Sequence, residues 1–322
     1  MTQLNLPILD HLADHQHILI AGAGGGFDVF SGLPLYFTLR DLGKNVHLAN
    51  YTFCEFELVK RVSQPQVLRD GLVLGARGPI RTALPYYPEG YLSLWFHEAR
   101  GEDVTVWMFA HAGAAPLAEG YAALVQHLHI DALILVDGGV DSLMHGDEAG
   151  PGTMVEDSLT LAAVQTVDVP VKILACIGFG SEIEEALCHY HALENMAALA
   201  KAGAFLGSCA LTPQMDAFLQ FEAACRFVWE QPKHSHSHIS SRIIPAARGE
   251  FGSYRMYPTD YSGVFISPLM SLYWFFDARA VTARNLLVPR LGDTHTTAQA
   301  FTVYAKLASG LSLRPRKTIP YS

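Results

Sequence analysis

Between Asp137 and Asp157 the chain carries six carboxylates, Asp137, Asp141, Asp147, Glu148, Glu156 and Asp157, and no lysine or arginine. Acids this close in sequence repel one another. They are usually kept to hold a hard cation, to contact several hydroxyls, or to maintain one acid at a raised pKa for proton transfer. The segment opens Val136-Asp137-Gly138-Gly139-Val140-Asp141-Ser142. Asp137 ends an apolar run that reads as a parallel strand, and ligands of open α/β sheets bind outside the carboxyl ends of such strands. Gly138 and Gly139 permit a tight turn, so Asp137 and Asp141 can face one cavity. Asp147 and Glu148 are candidate ligand contacts. Capping and solvated loop charge suit Glu156 and Asp157 best, because they open a predicted helix whose dipole favours acids. A Mg²⁺ or Ca²⁺ site is one reading of the cluster, although its spacing fits no calcium-loop template.

A second candidate lies near the amino end. Ile18-Leu19-Ile20-Ala21-Gly22-Ala23-Gly24-Gly25-Gly26-Phe27-Asp28 reads as a buried strand that empties into glycines and then a helix. Backbone N–H groups converge at such a helix start, where a phosphate or carboxylate would sit. Gly22, Gly24, Gly25 and Gly26 are expected to hold that anion, with Asp28 and Asn50 contacting a sugar. Asp28 is equally readable as a first-turn acid that satisfies orphan amides. The dinucleotide fingerprint is incomplete. The second strand ends His47-Leu48-Ala49-Asn50-Tyr51, without the acid that holds a ribose hydroxyl. No Gly-Lys-Ser/Thr follows the glycines, and Gly-x-Ser-x-Gly and HExxH are absent. Walker-type NTPases, serine hydrolases and zincins therefore lack support.

His111, in Phe109-Ala110-His111-Ala112-Gly113, reaches the same rim and can serve as base, acid or structural partner. Ile177-Gly178-Phe179-Gly180-Ser181-Glu182 is a further glycine turn, with a capping serine. His234, His236 and His238 alternate. On an extended strand they would span about 13 Å, too far for one ion unless the chain bends, so a polar loop lining the cleft competes with a metal grip. Asp293-Thr294-His295-Thr296-Thr297 reads first as a helix N-cap.

The elements that must position these residues alternate in strand-like and helix-like segments. Strands are predicted over 17–21, 45–50, 104–110, 132–137 and 171–177. Helices are predicted over 29–42, 116–129, 154–166, 182–202, 213–230 and 296–307. The expected fold is α/β, a Rossmann-like three-layer sandwich with a mostly parallel central sheet. One domain spans 1–322, with an aromatic and proline-containing insertion at about 54–100 and an irregular segment at about 231–263. The insertion either folds over the glycine loop as a lid or packs on one face. Half of the 322 residues are hydrophobic, enough for a sizeable core. The formal charge of −9 leaves no basic surface for nucleic acid. Residues 1–16 lack the basic start and apolar core of an export signal, and no apolar stretch is long enough for a bilayer. A cytoplasmic protein without membrane contact is expected. Five cysteines without CxxC spacing read as reduced thiols.

The Gly24-Gly25-Gly26-Phe27-Asp28-Val29 loop, Asp137-Gly138-Gly139-Val140-Asp141-Ser142, Gly146-Asp147-Glu148, Glu156-Asp157-Ser158 and Pro268-Leu269-Met270 together resemble the family catalogued as domain of unknown function 1152. The resemblance covers nearly the whole chain and implies a Rossmann-like fold and an intracellular protein. It implies no activity. Gly22-Ala23-Gly24 with Ser31-Gly32-Leu33-Pro34 is also locally similar to the opening of sirtuins. The sirtuin zinc cysteines and histidine motif are absent, so no deacylase chemistry is implied.

The residues point to an enzyme of hydrolase or transferase type acting on a small phosphorylated, nucleotide-like or sugar-containing metabolite. Asp137, Asp141 and His111 are the candidate catalytic residues. Gly22, Gly24, Gly25, Gly26, Asp28, Asn50, Gly138, Gly139, Asp147 and Glu148 are the candidate ligand contacts. A divalent cation such as Mg²⁺ is the candidate cofactor, and a homo-oligomer the candidate assembly. The competing reading is a non-catalytic nucleotide or metabolite sensor.

Overall fold

Apolar runs buried on both faces build the centre of the sheet. A computed structural model describes residues 7–231, 236–257 and 263–320. Its strands are β1 (His17–Gly22), β2 (Asn45–Tyr51), β3 (Gln66–Arg69), β4 (Val73–Ala76), β5 (Val106–Phe109), β6 (Ala132–Asp137), β7 (Val171–Cys176), β8 (Phe205–Ala210) and β9 (Leu272–Asp277). They form one sheet in the order β3-β4-β5-β2-β1-β6-β7-β9-β8. The five central strands, β5 to β7, pair in parallel, and each edge is finished by an antiparallel pair. This is the α/β, Rossmann-like sandwich expected, with a mostly parallel central sheet whose edges are antiparallel.

The alternation of side chains along β1 divides the core. Leu19 and Ala21 face a layer containing the helices Ala114–Leu128, Met154–Gln165 and Ala278–Arg284, whereas Ile18 and Ile20 face the helices Leu33–Asp41, Pro88–Arg100 and Asp216–Trp229. β1 pairs with β2 on one side and β6 on the other. The chain therefore runs outward from β1 through β2 to β5, then returns to lay β6 against β1. That reversal opens a crevice outside the carboxyl ends of β1 and β6, the place where doubly wound sheets bind ligands.

The five predicted strands are present, but β3, β4, β8 and β9 are additions to the sequence reading. All four pair antiparallel and flank the parallel core: β3 and β4 form a hairpin of four-residue strands, and β8 and β9 pair across more than sixty residues of sequence, so neither pair carries the strand–helix alternation of the parallel core. The predicted helix over 29–42 is broken into Asp28–Ser31 and Leu33–Asp41 at Gly32. A Cβ there would lie 2.6 Å from Ile20 Cγ2, so the backbone presses on the sheet at that point. The predicted helix over 182–202 forms only as His189–Lys201. Ahead of it the chain turns, with Ala186 left-handed at φ 58° and the Glu182 side chain buried. The irregular segment at 231–263 holds the helix Ser240–Ala247, whose Pro245 disguised it. The 54–100 insertion contains the helix Phe56–Val62, the β3–β4 hairpin and the helix Pro88–Arg100. Its hairpin extends the sheet, its second helix packs on one face with Tyr91, Leu92, Trp95 and Phe96 buried there, and Tyr86 reaches the glycine loop, where a Cβ on Gly26 would lie 3.5 Å from its hydroxyl.

Candidate active site

The glycine loop after β1 needs its glycines for conformation as well as space: Gly25 and Gly26 have φ of 96° and 63°. The chain then enters the short helix Asp28–Ser31, and the Asp28 carboxylate folds back over the loop. Its Oδ2 accepts the Gly24 N–H at 2.8 Å, and its Oδ1 accepts the Gly138 N–H at 3.1 Å. Asp28 thus ties the turn after β1 to the turn after β6. The Gly24 amide, expected to hold a ligand's phosphate or carboxylate, is taken here by a carboxylate of the protein itself. Burial pushes the Asp28 carboxyl up to about 7 and the nearby Asp141 adds to the rise, while the Gly138 and Gly24 amides oppose it.

β6 delivers Asp137, which is 3% exposed. Its Oδ2 accepts both the N–H of Ser142, at 3.1 Å, and the Ser142 hydroxyl. The turn that follows brings in Asp141, whose Oδ2 accepts the N–H and hydroxyl of Thr153 at 2.7 and 2.6 Å. The first turn of the helix Met154–Gln165 then presents Asp157, 2% exposed and directed at the loop. Ligand oxygens of Asp137, Asp141 and Asp157 all lie within 4.8 Å of one another. Burial drives the carboxyls of Asp137 and Asp157 well above the usual range, with their acidic neighbours adding to it. Glu182, after β7, completes the floor. Its Oε2 accepts the Val140 N–H at 2.6 Å, and burial raises its carboxyl too, with Asp141 and Asp137 adding to the rise.

These acids share a cavity of about 490 Å³ with the rest of the rim. Glu156 and Glu185 add two further carboxylates, while Phe53, Tyr86 and Phe27 form an aromatic side and His236, Ser237 and His238 another. The Phe53 and Tyr86 rings stack with centroids 6.4 Å apart, and Phe53 is 44% exposed. Among the described residues that line the cavity there is no lysine or arginine.

Of the expected site residues, Gly24, Gly25, Gly26, Asp28, Asp137, Gly138 and Asp141 line this one cavity. The others lie behind or beside it. Asn50 is fully buried and donates from Nδ2 to the Gly26 carbonyl at 2.9 Å and to Glu89 at 2.7 Å, so it braces the loop from below. Gly22 packs under Asn50 and Asp28, and Gly139 makes room for Glu182, whose Cδ would lie 2.4 Å from a Cβ at that position. His111 is exposed outside the lining, its ring 5.3 Å from Tyr51 and 5.2 Å from Phe53. Asp147 and Glu148 turn away to Arg314, which pairs with them at 2.8 and 2.7 Å. Glu148 also accepts from the N–H groups of His145 and Gly146 and from Asn195. Of the alternating histidines, His236 and His238 reach the rim, and His234 lies outside the described residues. Thr296 is an N-cap with a full capping box.

Sequence alone predicts Asp157 as a capping acid in solvent and marks none of Glu182, Glu185, Phe53 and Tyr86 as a site residue. Asp157 is buried instead, in a helix whose polar positions Ser158 and Thr160 are buried as well, and its only local clue is the apolar run Leu159 to Val164, broken by Thr160 alone, that follows it. Glu182 had a clearer signal, standing directly after a glycine turn at a strand's carboxyl end.

Residues 95–308, about two thirds of the chain, match the family model described as Protein of unknown function (DUF1152). No curated protein and no solved structure matches the chain. No helix among the described residues is long and apolar enough to cross a membrane.

Proposed function

Since the chain belongs to the DUF1152 family, whose description names no activity, we propose from the cavity alone that it is an enzyme of hydrolase or transferase type. Its substrate would be a small phosphorylated, nucleotide-like or sugar-containing metabolite in the cytoplasm. The observation that carries this reading is the convergence of Asp28, Asp137, Asp141, Asp157 and Glu182 on one cavity without a lysine or arginine among the described lining residues. Burying several carboxylates together costs stability, and a fold does not need such a group for its own sake. Strongly perturbed acids in a cleft are what proton-transfer chemistry uses.

The roles follow from the environments. Asp28, near neutral in its titration, can hold or release a proton at working pH, the condition for a general acid or base. Asp137 and Asp141, oriented by Ser142 and Thr153, would accept from substrate hydroxyls or activate an attacking water or acceptor hydroxyl. The exposed face of Phe53, stacked on Tyr86, would receive a base or sugar ring. A bare phosphate would be repelled by the acidic floor and would enter only with a counter-cation.

The test is turnover. The purified chain is incubated with nucleosides, nucleotides and sugar phosphates, and consumption is followed by mass spectrometry beside Asp137→Asn. One compound consumed by the wild type and spared by the variant supports the proposal. A compound that binds the wild type tightly and is never converted overturns it in favour of a sensor.

A further inference from the structure

We propose that Asp137, Asp141 and Asp157 form a site for one hard divalent cation of the Mg²⁺ or Mn²⁺ type, which would carry the phosphate of a substrate into the acidic cavity. This deepens the enzyme reading above and rests on it for the phosphate alone.

Three observations support the site. The first is geometric. Oxygens bound to Mg²⁺ lie about 2.1 Å from the ion and those bound to Ca²⁺ about 2.3–2.6 Å, so oxygens across such an ion are roughly 4–5 Å apart. The three carboxylates already lie within 4.8 Å of one another, supplied by a strand end, a turn and a helix start. Closing them on an ion needs only small side-chain adjustments.

The second is an unmet need. Asp157 Oδ1 is buried, belongs to a residue only 2% exposed, lines the cavity, and has no hydrogen-bond partner. A buried carboxylate oxygen without a donor is costly, and in native proteins it calls for an explanation such as an ion. The glycine loop stands over this carboxylate: a Cβ added to Gly24 would lie 3.0 Å from Asp157 Oδ2 and 3.2 Å from Oδ1. The fold therefore brings the chain close enough to enclose this carboxylate while leaving Oδ1 to another partner.

The third is the donor set and its support. Oxygen-only ligands select magnesium, manganese or calcium over zinc and copper. Ser142 holds Asp137 and Thr153 holds Asp141 by two hydrogen bonds each, the kind of bracing that orients metal ligands elsewhere. Asp28 is already engaged with the Gly24 and Gly138 amides, which leaves the three aspartates as the ion's ligands and Asp28 as the clasp between the turns.

The probe is Mn²⁺ added to the full chain after EDTA treatment, with bound ion read by electron paramagnetic resonance and Mg²⁺ as competitor. One Mn²⁺ per chain, displaced by Mg²⁺ and weakened about tenfold or more in Asp157→Asn, is the expected result. The variant removes a buried repulsion, so its thermal midpoint without metal should equal or exceed the wild type's; this shows that it folds. Absence of Mn²⁺ binding at millimolar concentration, or binding unchanged in both Asp157→Asn and Asp141→Asn, overturns the site. The two proposals fail separately. Turnover that persists in EDTA removes the cation and leaves the enzyme, whereas a bound Mn²⁺ with no turnover of any compound leaves the cation and removes the enzyme.

Discussion

Gly24 and Asp157 face each other at the cavity, the missing side chain of the one leaving space for the carboxylate of the other. A Cβ added to Gly24 would lie 3.0 Å from Asp157 Oδ2, closer than a relaxed contact allows. Gly24 does not have a positive φ, so Gly24→Ala introduces no backbone strain, and the clash falls on the movable end of a side chain. The variant is expected to fold with a thermal midpoint within a few degrees of wild type, while Mn²⁺ affinity falls about tenfold, the effect of disturbing a metal ligand's position. A large loss of stability with unchanged ion affinity would show that the contact serves only the fold.

Gly25 offers the contrasting case. Its φ is 96°, and a Cβ there would meet the Tyr51 carbonyl oxygen at 2.6 Å. Here the obstacle is backbone, which cannot swing aside. Gly25→Ala should destabilise the chain by about 2 kcal/mol or more, measured by denaturant unfolding, because strain and clash add.

The acid cluster makes stability depend on pH in a definite direction. Unfolded carboxyls titrate near 4, whereas that of Asp28 is held up to about 7 and those of Asp137, Asp157 and Glu182 are also raised by burial. Between these limits the folded chain holds more protons than the unfolded one, so stability falls as pH rises from about 4 to about 7. The arginine-paired acids Asp147, Glu102, Glu184 and Glu222, whose carboxyls are lowered, act oppositely and lower down. Their stabilisation is present above the usual carboxylate range and is lost as pH drops through it. Calorimetry of the metal-free chain should therefore show a higher midpoint at pH 5 than at pH 8, with a shallower slope in Asp157→Asn. A midpoint rising steadily to pH 8 would contradict the enclosure of these acids.

Arg314 tests the separation of the acidic segment into two halves. Its guanidinium neutralises Asp147 and the fully enclosed Glu148. Arg314→Ala leaves Glu148 with three neutral donors and no counter-charge, a loss of about 2 kcal/mol in unfolding measurements, discounted because the arginine is partly exposed. Ion and metabolite binding in the cavity should not change. A fall in ligand affinity larger than about threefold would place Asp147 and Glu148 back in the binding site.

Phe53 and His111 touch each other but differ in access to the cavity. Phe53→Ala should weaken a ring-bearing ligand by about 1–3 kcal/mol, the worth of one stacking partner, with little change in stability because the ring is half exposed. His111→Ala should leave turnover within about twofold of wild type, since its imidazole lies outside the lining and no carboxylate is paired with it to raise its titration, which partial desolvation lowers instead. Loss of turnover in the histidine variant would return His111 to the chemistry.

The amino-acid sequence alone determined the five parallel strands, the glycine turns at their ends, and the placing of Asp28, Asp137 and Asp141 at those turns. These are local matters: an apolar run of strand length, a glycine that permits a turn, an acid at a helix start. It left unresolved whatever depends on which strand lies beside which. Only the return of β6 to the flank of β1 brings Gly138 to Asp28 and Asp157 to Gly24. The same return sends Asp147 and Glu148, close neighbours of Asp141 in sequence, to an arginine more than 160 residues away. Carboxylates alike in composition thus divide into a salt-bridged set and an unneutralised set. The division was made by tertiary contact, because burial and the distance to a counter-charge are properties of the packed chain and have no local signature.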